Sequence, residues 1–136
     1  MNRMNAALTN VAPHVLSLLR IVVGLLFLQH GLVKLFAFPM PFPNPPAVGT
    51  LIWYQGIIEI IGGSLLILGL LTRPVAFILA GDMAFAYFMS HAPRSYYPIQ
   101  NGGNLAILYC FVFFYLVFSG PGPWSVDARG SKEPSA

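Results

Sequence analysis

Nine polar side chains could do chemistry in a sequence that is otherwise almost wholly apolar around them: Arg20, Gln29, His30, Lys34, Gln55, Glu59, Asp82, His91 and Asn104. An ionisable group at the centre of a bilayer costs at least about 2.5 to 3.5 kcal/mol on insertion scales, so such groups turn inward and find partners. Two kinds of role follow. Glu59 with Arg20, His30 and Lys34 can line a pocket for a small polar headgroup such as a quinone or an anion, or form part of a proton path. The same groups, with Asp82 as a buried charge partner, can instead act as polar glue that holds helices in register, where apolar contact gives no preference over lipid.

Spacing sorts these residues onto faces. Arg20, Gly24, Phe27, Gly31 and Lys34 recur at intervals of three and four, as do Gln55, Glu59, Gly62, Gly63 and Leu66. Each stripe combines charge with glycines that permit close helix approach, so the two are expected to face each other. Arg20 is expected beside Glu59 or Asp82, because a guanidinium can bridge two carboxylates. His30 and His91 could ligate a haem or a metal from two helices, but no third ligand accompanies them, and the expectation is no metal and no haem. Cys110 is the single cysteine and lies in an apolar segment, which leaves neither a disulfide nor a Cys-x-x-C pair. Ser64 and Ser90 read as helix-packing residues. The Gly-Gly pairs at Gly62 and Gly102 do not follow a strand, so they are not phosphate loops.

The elements that must position these groups are helices in a membrane. Of 136 residues, 57% are hydrophobic and 8% charged, and the mean hydropathy is +0.72, whereas a soluble domain carries about 25% charged residues. The net charge of +3 is too dispersed for a nucleic-acid footprint. Four apolar runs predict an all-α transmembrane four-helix bundle over 14–119: His14–Phe38, Val48–Leu71, Pro74–Ala92 and Gly103–Ser119. Residues 1–13 and 120–136 are expected as cytoplasmic tails. Between the first two runs, FPMPFPNPPAVG has five prolines and predicts an extended cap over the membrane surface. Arg3, Arg73, Arg129 and Lys132 fall on one side and Arg94 in the loops of the other, which puts both termini in the cytoplasm. Trp53, Tyr54, Tyr96 and Tyr97 would mark one interface and Trp124 the other.

Four segments, in order, are similar to the DoxX family of small bacterial membrane proteins: LLRIVVGLLFLQHGLVKLF, IEIIGGSLLILGLLTRPVA, SHAPRSYYPIQNGGNLAILY and SGPGPWSVD. Together they cover about residues 16 to 127. The matching positions are Arg20, Gly31, Lys34, Glu59, Gly62, Gly63, Arg73, Asn101, Gly102, Gly103, Gly120, Pro121, Gly122 and Asp127. The resemblance implies a multi-pass four-helix bundle in the bacterial inner membrane. Members include a membrane subunit associated with a thiosulfate:quinone oxidoreductase, and others look like membrane partners in thiol or oxidative-stress systems. The chain departs from the family at Asn104, where many relatives carry Glu, and at Trp124, which replaces a tyrosine. Asn104 is expected to cap the helix it begins.

Three functions are therefore carried forward. The first is a quinone-interacting subunit, or one associated with a redox protein partner, that has no self-contained catalytic motif. The second is a non-enzymatic scaffold. The third is a small transporter, which would need a homo-oligomer to enclose a path.

Overall fold

The computed structural model describes residues 2–131; Lys132, one of the cations counted for orientation, and the rest of the C-terminal end lie outside them. All regular structure is helical: α1 Arg3–Phe36, α2 Leu51–Leu68, α3 Thr72–Ala86 continued by a π-turn at Tyr87–His91, α4 Pro98–Asn101, α5 Asn104–Ser119 and α6 Val126–Gly130. No strand occurs among the described residues. α1 and α2 are each long and apolar enough to cross a membrane, and α5 is apolar but shorter.

The expected boundaries shift for local reasons. α1 begins at Arg3 rather than His14, so the segment read as a tail is helical. Asn2 caps it by accepting from the Met4 N–H (3.4 Å), and Pro13 sits inside it at the cost of one backbone bond. At 34 residues α1 is about 51 Å long, well beyond the roughly 30 Å of a hydrocarbon core. α2 is trimmed to 18 residues, entered through Thr50, whose side chain accepts from the Trp53 N–H, and ended at Gly69 in the left-handed region. The proline-rich segment between α1 and α2 contains no regular helix or strand, as five prolines demand.

Packing follows the chain. α1 lies along α2, α2 touches α3, and α3 lies along α5. The two glycine stripes do meet: a Cβ on Gly24 would come within 3.1 Å of the Gly63 carbonyl, and one on Gly31 within 2.8 Å of the Gly56 carbonyl. A larger residue at either place would push the backbones apart. One core draws on all four long helices: Val23 and Phe27 from α1, Leu66 from α2, Leu79 and Met83 from α3, and Tyr109, Phe113 and Leu116 from α5. α1 and α5 lack the close backbone approach of the other neighbours and meet mainly through rings. Phe27 stands edge-on to Tyr109 (5.4 Å) and Phe113 (4.9 Å).

Candidate functional site

Lys34 and Glu59 form the only ion pair among the described residues, at 2.6 Å. Their position follows from the stripe: Lys34 is one helical turn beyond Gly31, whose missing side chain lets α2 approach, and Glu59 is on the facing side of α2. Glu59 is 2% exposed. The Lys34 ammonium also donates to Gln55 Oε1 (3.2 Å), and Gln55 Nε2 donates to Asp82 Oδ1 (3.3 Å). A chain of Glu59, Lys34, Gln55 and Asp82 thus links α2, α1 and α3. It is incomplete, because Glu59 Oε2 and Asp82 Oδ2 are buried and have no hydrogen-bond partner among the described residues. One of the three N–H donors of Lys34 is likewise unassigned.

The Lys34 and Glu59 end of this chain adjoins a cavity of about 420 Å³, whose lining does not include Asp82. That volume falls within the range of small-molecule sites. Lys34, Gln55 and Glu59 form its polar wall, while Phe27, Met83, Ala106 and Tyr109 form its apolar wall. His30 is on the rim, edge-on to Tyr109 at 5.9 Å. Phe42, from the proline-rich segment, covers part of the cavity, and the π-turn brings Ser90 and His91 to its far side. Such one-turn widenings recur at functional sites. His91 Nδ1 lies 3.1 Å from the Asn101 carbonyl oxygen, which can only accept, so Nδ1 carries a proton and donates it there.

Arg20 is elsewhere. It lies 14 residues before Lys34, about 21 Å away along the helix axis, and it contacts neither Glu59 nor Asp82, contrary to expectation. Its guanidinium is wholly buried and donates to three backbone carbonyls: Leu66 (2.8 Å) near the end of α2, Pro121, and Trp124 (2.6 Å). The physical reason is geometric. The end of α2 and the segment after α5 present backbone carbonyls at one level, which a planar five-donor group reaches together; Leu66 and Pro121 accept in addition from the Gly69 N–H (3.1 Å) and Ser17 Oγ (3.4 Å).

The residues after α5 are therefore not a loose tail. Ser17 Oγ accepts from the Trp124 N–H (3.1 Å) and donates to the Pro121 carbonyl (3.4 Å). Gly122 has φ +78° with Ser17 directly against it, so a side chain there would be both strained and blocked. Arg73 donates to the Val117 and Phe118 carbonyls (2.8 and 2.7 Å) at the end of α5. Asp127 accepts from the Leu71 and Thr72 N–H groups (both 2.9 Å) at the start of α3. Partial burial pushes the Asp127 carboxyl up, but those N–H bonds and the nearby Arg20 charge outweigh it and hold it below the usual carboxylate range.

Among the residues singled out from sequence, Lys34, Glu59, Gln55 and Asp82 converge, and His30 and His91 share the cavity wall. Arg20 belongs to the tail clasp. Gln29 is exposed on the outer surface of α1 instead of turning inward. Asn104 is also exposed and makes no cap, since α5 starts from Gly103 without a side-chain cap. The neighbouring Asn101 does the capping work: it is buried, accepts from the Gly103 N–H (2.8 Å), and donates to Tyr87 Oη and the Ser95 carbonyl. Sequence reasoning missed Tyr109, Phe42 and Ser17. Ser17 carried a usable signal, being three residues before Arg20 on the same stripe, whereas Tyr109 is one of several rings in an evenly apolar run.

Comparison with known proteins identifies relatives over most of the chain. A Haemophilus influenzae protein named only as uncharacterized is 45% identical over 89% of this chain and 94% of its own length. The Mycobacterium tuberculosis protein named Uncharacterized membrane protein Rv3486 is 31% identical over 87% of this chain and 82% of its own. A second uncharacterized H. influenzae protein is 34% identical over 66% of this chain. No solved structure matches the chain. The DoxX family model matches residues 15–92, which span α1, α2, α3 and the π-turn and so include every member of the Lys34–Glu59–Gln55–Asp82 chain. The chain is a membrane protein of the DoxX family.

Proposed function

We propose that this protein is a four-span inner-membrane subunit that binds a quinone headgroup at Lys34 and Glu59 and serves a redox partner protein. The four spans would be α1, α2, α3 with its π-turn, and α5, with the clasp and both termini on the cytoplasmic side. Support for that topology comes from the shared core of these helices, from the exposed Leu25, Leu26, Ile61, Phe77, Leu108 and Phe111 on their outer faces, and from Arg73 and Arg129 at the clasp end, with Arg3 on the same side farther out along α1.

One observation carries the ligand reading: an unassigned Lys34 donor and an unpartnered Glu59 oxygen adjoin the same ring-lined cavity. A quinone carbonyl accepts hydrogen bonds, and Lys34 can donate one. A quinol hydroxyl donates, and Glu59 Oε2 can accept it. The site therefore suits both oxidation states, with Phe27 and Tyr109 packing the ring faces. Reduction of a quinone to a quinol takes two electrons and two protons. In this reading the electrons come from the partner protein and both protons from the aqueous phase, with the Glu59 carboxylate, within reach of the headgroup, taking up and passing on one proton at a time.

The test is a titration of the purified protein in lipid nanodiscs with decyl-ubiquinone, following protein fluorescence quenching. Saturable binding is expected, with Glu59→Gln weakening it by about tenfold or more, since a hydrogen bond to a charged group contributes roughly 1.5 to 3 kcal/mol. Binding unaffected by Glu59→Gln and by Lys34→Met would overturn the reading.

A further inference from the structure

Resting on the quinone reading, we infer that the headgroup enters from the lipid through the seam between α1 and α5, with His30 and Leu105 as its lips. Three observations meet here. First, α1 and α5 are neighbours without close backbone packing, whereas α1–α2 and α3–α5 are tightly paired. Second, the rings that fill the seam are at one level: Phe27 lies against Phe113 and Tyr109, and toward Lys34 the seam gives way to the cavity. Third, His30 on α1 and Leu105 on α5 both line the cavity and are exposed on the outside, Leu105 by 48%. A residue that belongs to both the inner wall and the outer surface marks a mouth.

The chemistry of the mouth selects its traffic. Leu105 and Ala106 form an apolar sill, and the flanking outer faces carry Leu26 and Leu108, exposed by 47% and 63%. A seam bordered this way opens into hydrocarbon, where a free polar solute is scarce and a headgroup on a long apolar chain is concentrated. The chain of such a ligand stays in lipid while its ring passes inward. His30 is the polar residue of the α1–α5 lips, able to hydrogen-bond a carbonyl as the ring passes Tyr109 on its way to Lys34. Two other approaches reach the cavity: one past Ile52 under Phe42, partly covered by the proline-rich segment, and one at the exposed Ser90, Arg94 and Gly102, whose charge suits water rather than hydrocarbon.

The experiment compares decyl-ubiquinone with its chainless parent quinone, both titrated against the full-length protein in nanodiscs. Leu105→Trp narrows the sill; Leu108→Trp adds the same ring to α5 away from the cavity; Ile52→Trp narrows the covered route. Leu105→Trp is expected to slow association of decyl-ubiquinone at least tenfold while leaving the chainless quinone within twofold, and the other two variants are expected to leave both ligands near wild type. Equal loss of both ligands in Leu105→Trp would overturn the seam as a selective entrance, as would a tenfold slowing confined to Ile52→Trp. If the wild-type protein binds neither quinone, the ligand reading itself falls. If it binds both and Leu105→Trp changes neither, the seam alone is refuted.

Discussion

The two ends of the helical core each hold one cation of α1, the buried Arg20 at its middle and the partly buried Lys34 near its C-terminus, and they are used in opposite ways. Arg20 donates from all three guanidinium nitrogens to backbone carbonyls, two of them in the segment after α5, and the unpartnered buried oxygen at that end, Thr72 Oγ1, is an uncharged hydroxyl. Lys34 meets side chains, and two carboxylate oxygens in its network have no partner. A cation that closes off backbone groups is architectural. A cation in an incomplete side-chain network beside a cavity has donors left over, which is the basis of the proposed ligand site. The difference teaches that buried charge in a membrane protein is not one category: the decisive observation is what remains unpaired around it.

If that contrast is right, Arg20→Ala should have the largest effect on stability. It removes three hydrogen bonds of a charged guanidinium, each worth roughly 1.5 to 3 kcal/mol, and leaves the Trp124 carbonyl without its partner, so a loss of at least about 3 kcal/mol is expected, read as a lowered Tm by circular dichroism in detergent. Lys34→Met should cost less, about 1 to 3 kcal/mol, but abolish quinone binding. The double variant Lys34→Met/Glu59→Gln should recover much of the Tm and none of the binding. Recovery of both would make the Lys34 end merely structural and erase the contrast.

A smaller effect separates the ends by pH. Asp127 is held below the usual carboxylate range, so its bonds to Leu71 and Thr72 contribute stability at neutral pH, and that contribution is lost as pH falls through its lowered value. Thermal melts of the wild type should decline in that acid window, whereas Asp127→Asn should begin lower and decline less there. The smallest effect is expected for Gln29→Leu. Gln29 is exposed on α1, so Tm and quinone affinity should both remain near wild type, within about 0.5 kcal/mol.

Much of this fold could be read in the sequence because a few residue patterns have one physical solution. The glycine and charge stripes on α1 and α2 had to meet, since only glycine lets helices approach that closely, and Lys34 and Glu59 lie on those stripes. The assignment of Arg20 to the carboxylates failed for an identifiable reason. Stripe periodicity fixes a face but not the depth of a partner, and the backbone carbonyls that Arg20 serves have no signature in side-chain sequence. The Gly-Pro-Gly-x-Trp-Ser-x-Asp segment contained that partner, yet glycine and proline read as a chain breaker rather than as a wedge folded back on Ser17. Gln29 and Asn104 show a related limit: a polar type in an apolar run says that the residue is costly, not that it turns inward.

Photolabelling tests the central contrast most directly. A photoreactive quinone analogue, illuminated with the wild-type protein in nanodiscs and mapped by peptide mass spectrometry, is expected to mark peptides carrying His30 or Tyr109, with labelling suppressed by excess decyl-ubiquinone and by Glu59→Gln. Labelling confined to the Arg20 end, in residues 117–131, or labelling indifferent to both competitor and substitution, would contradict it.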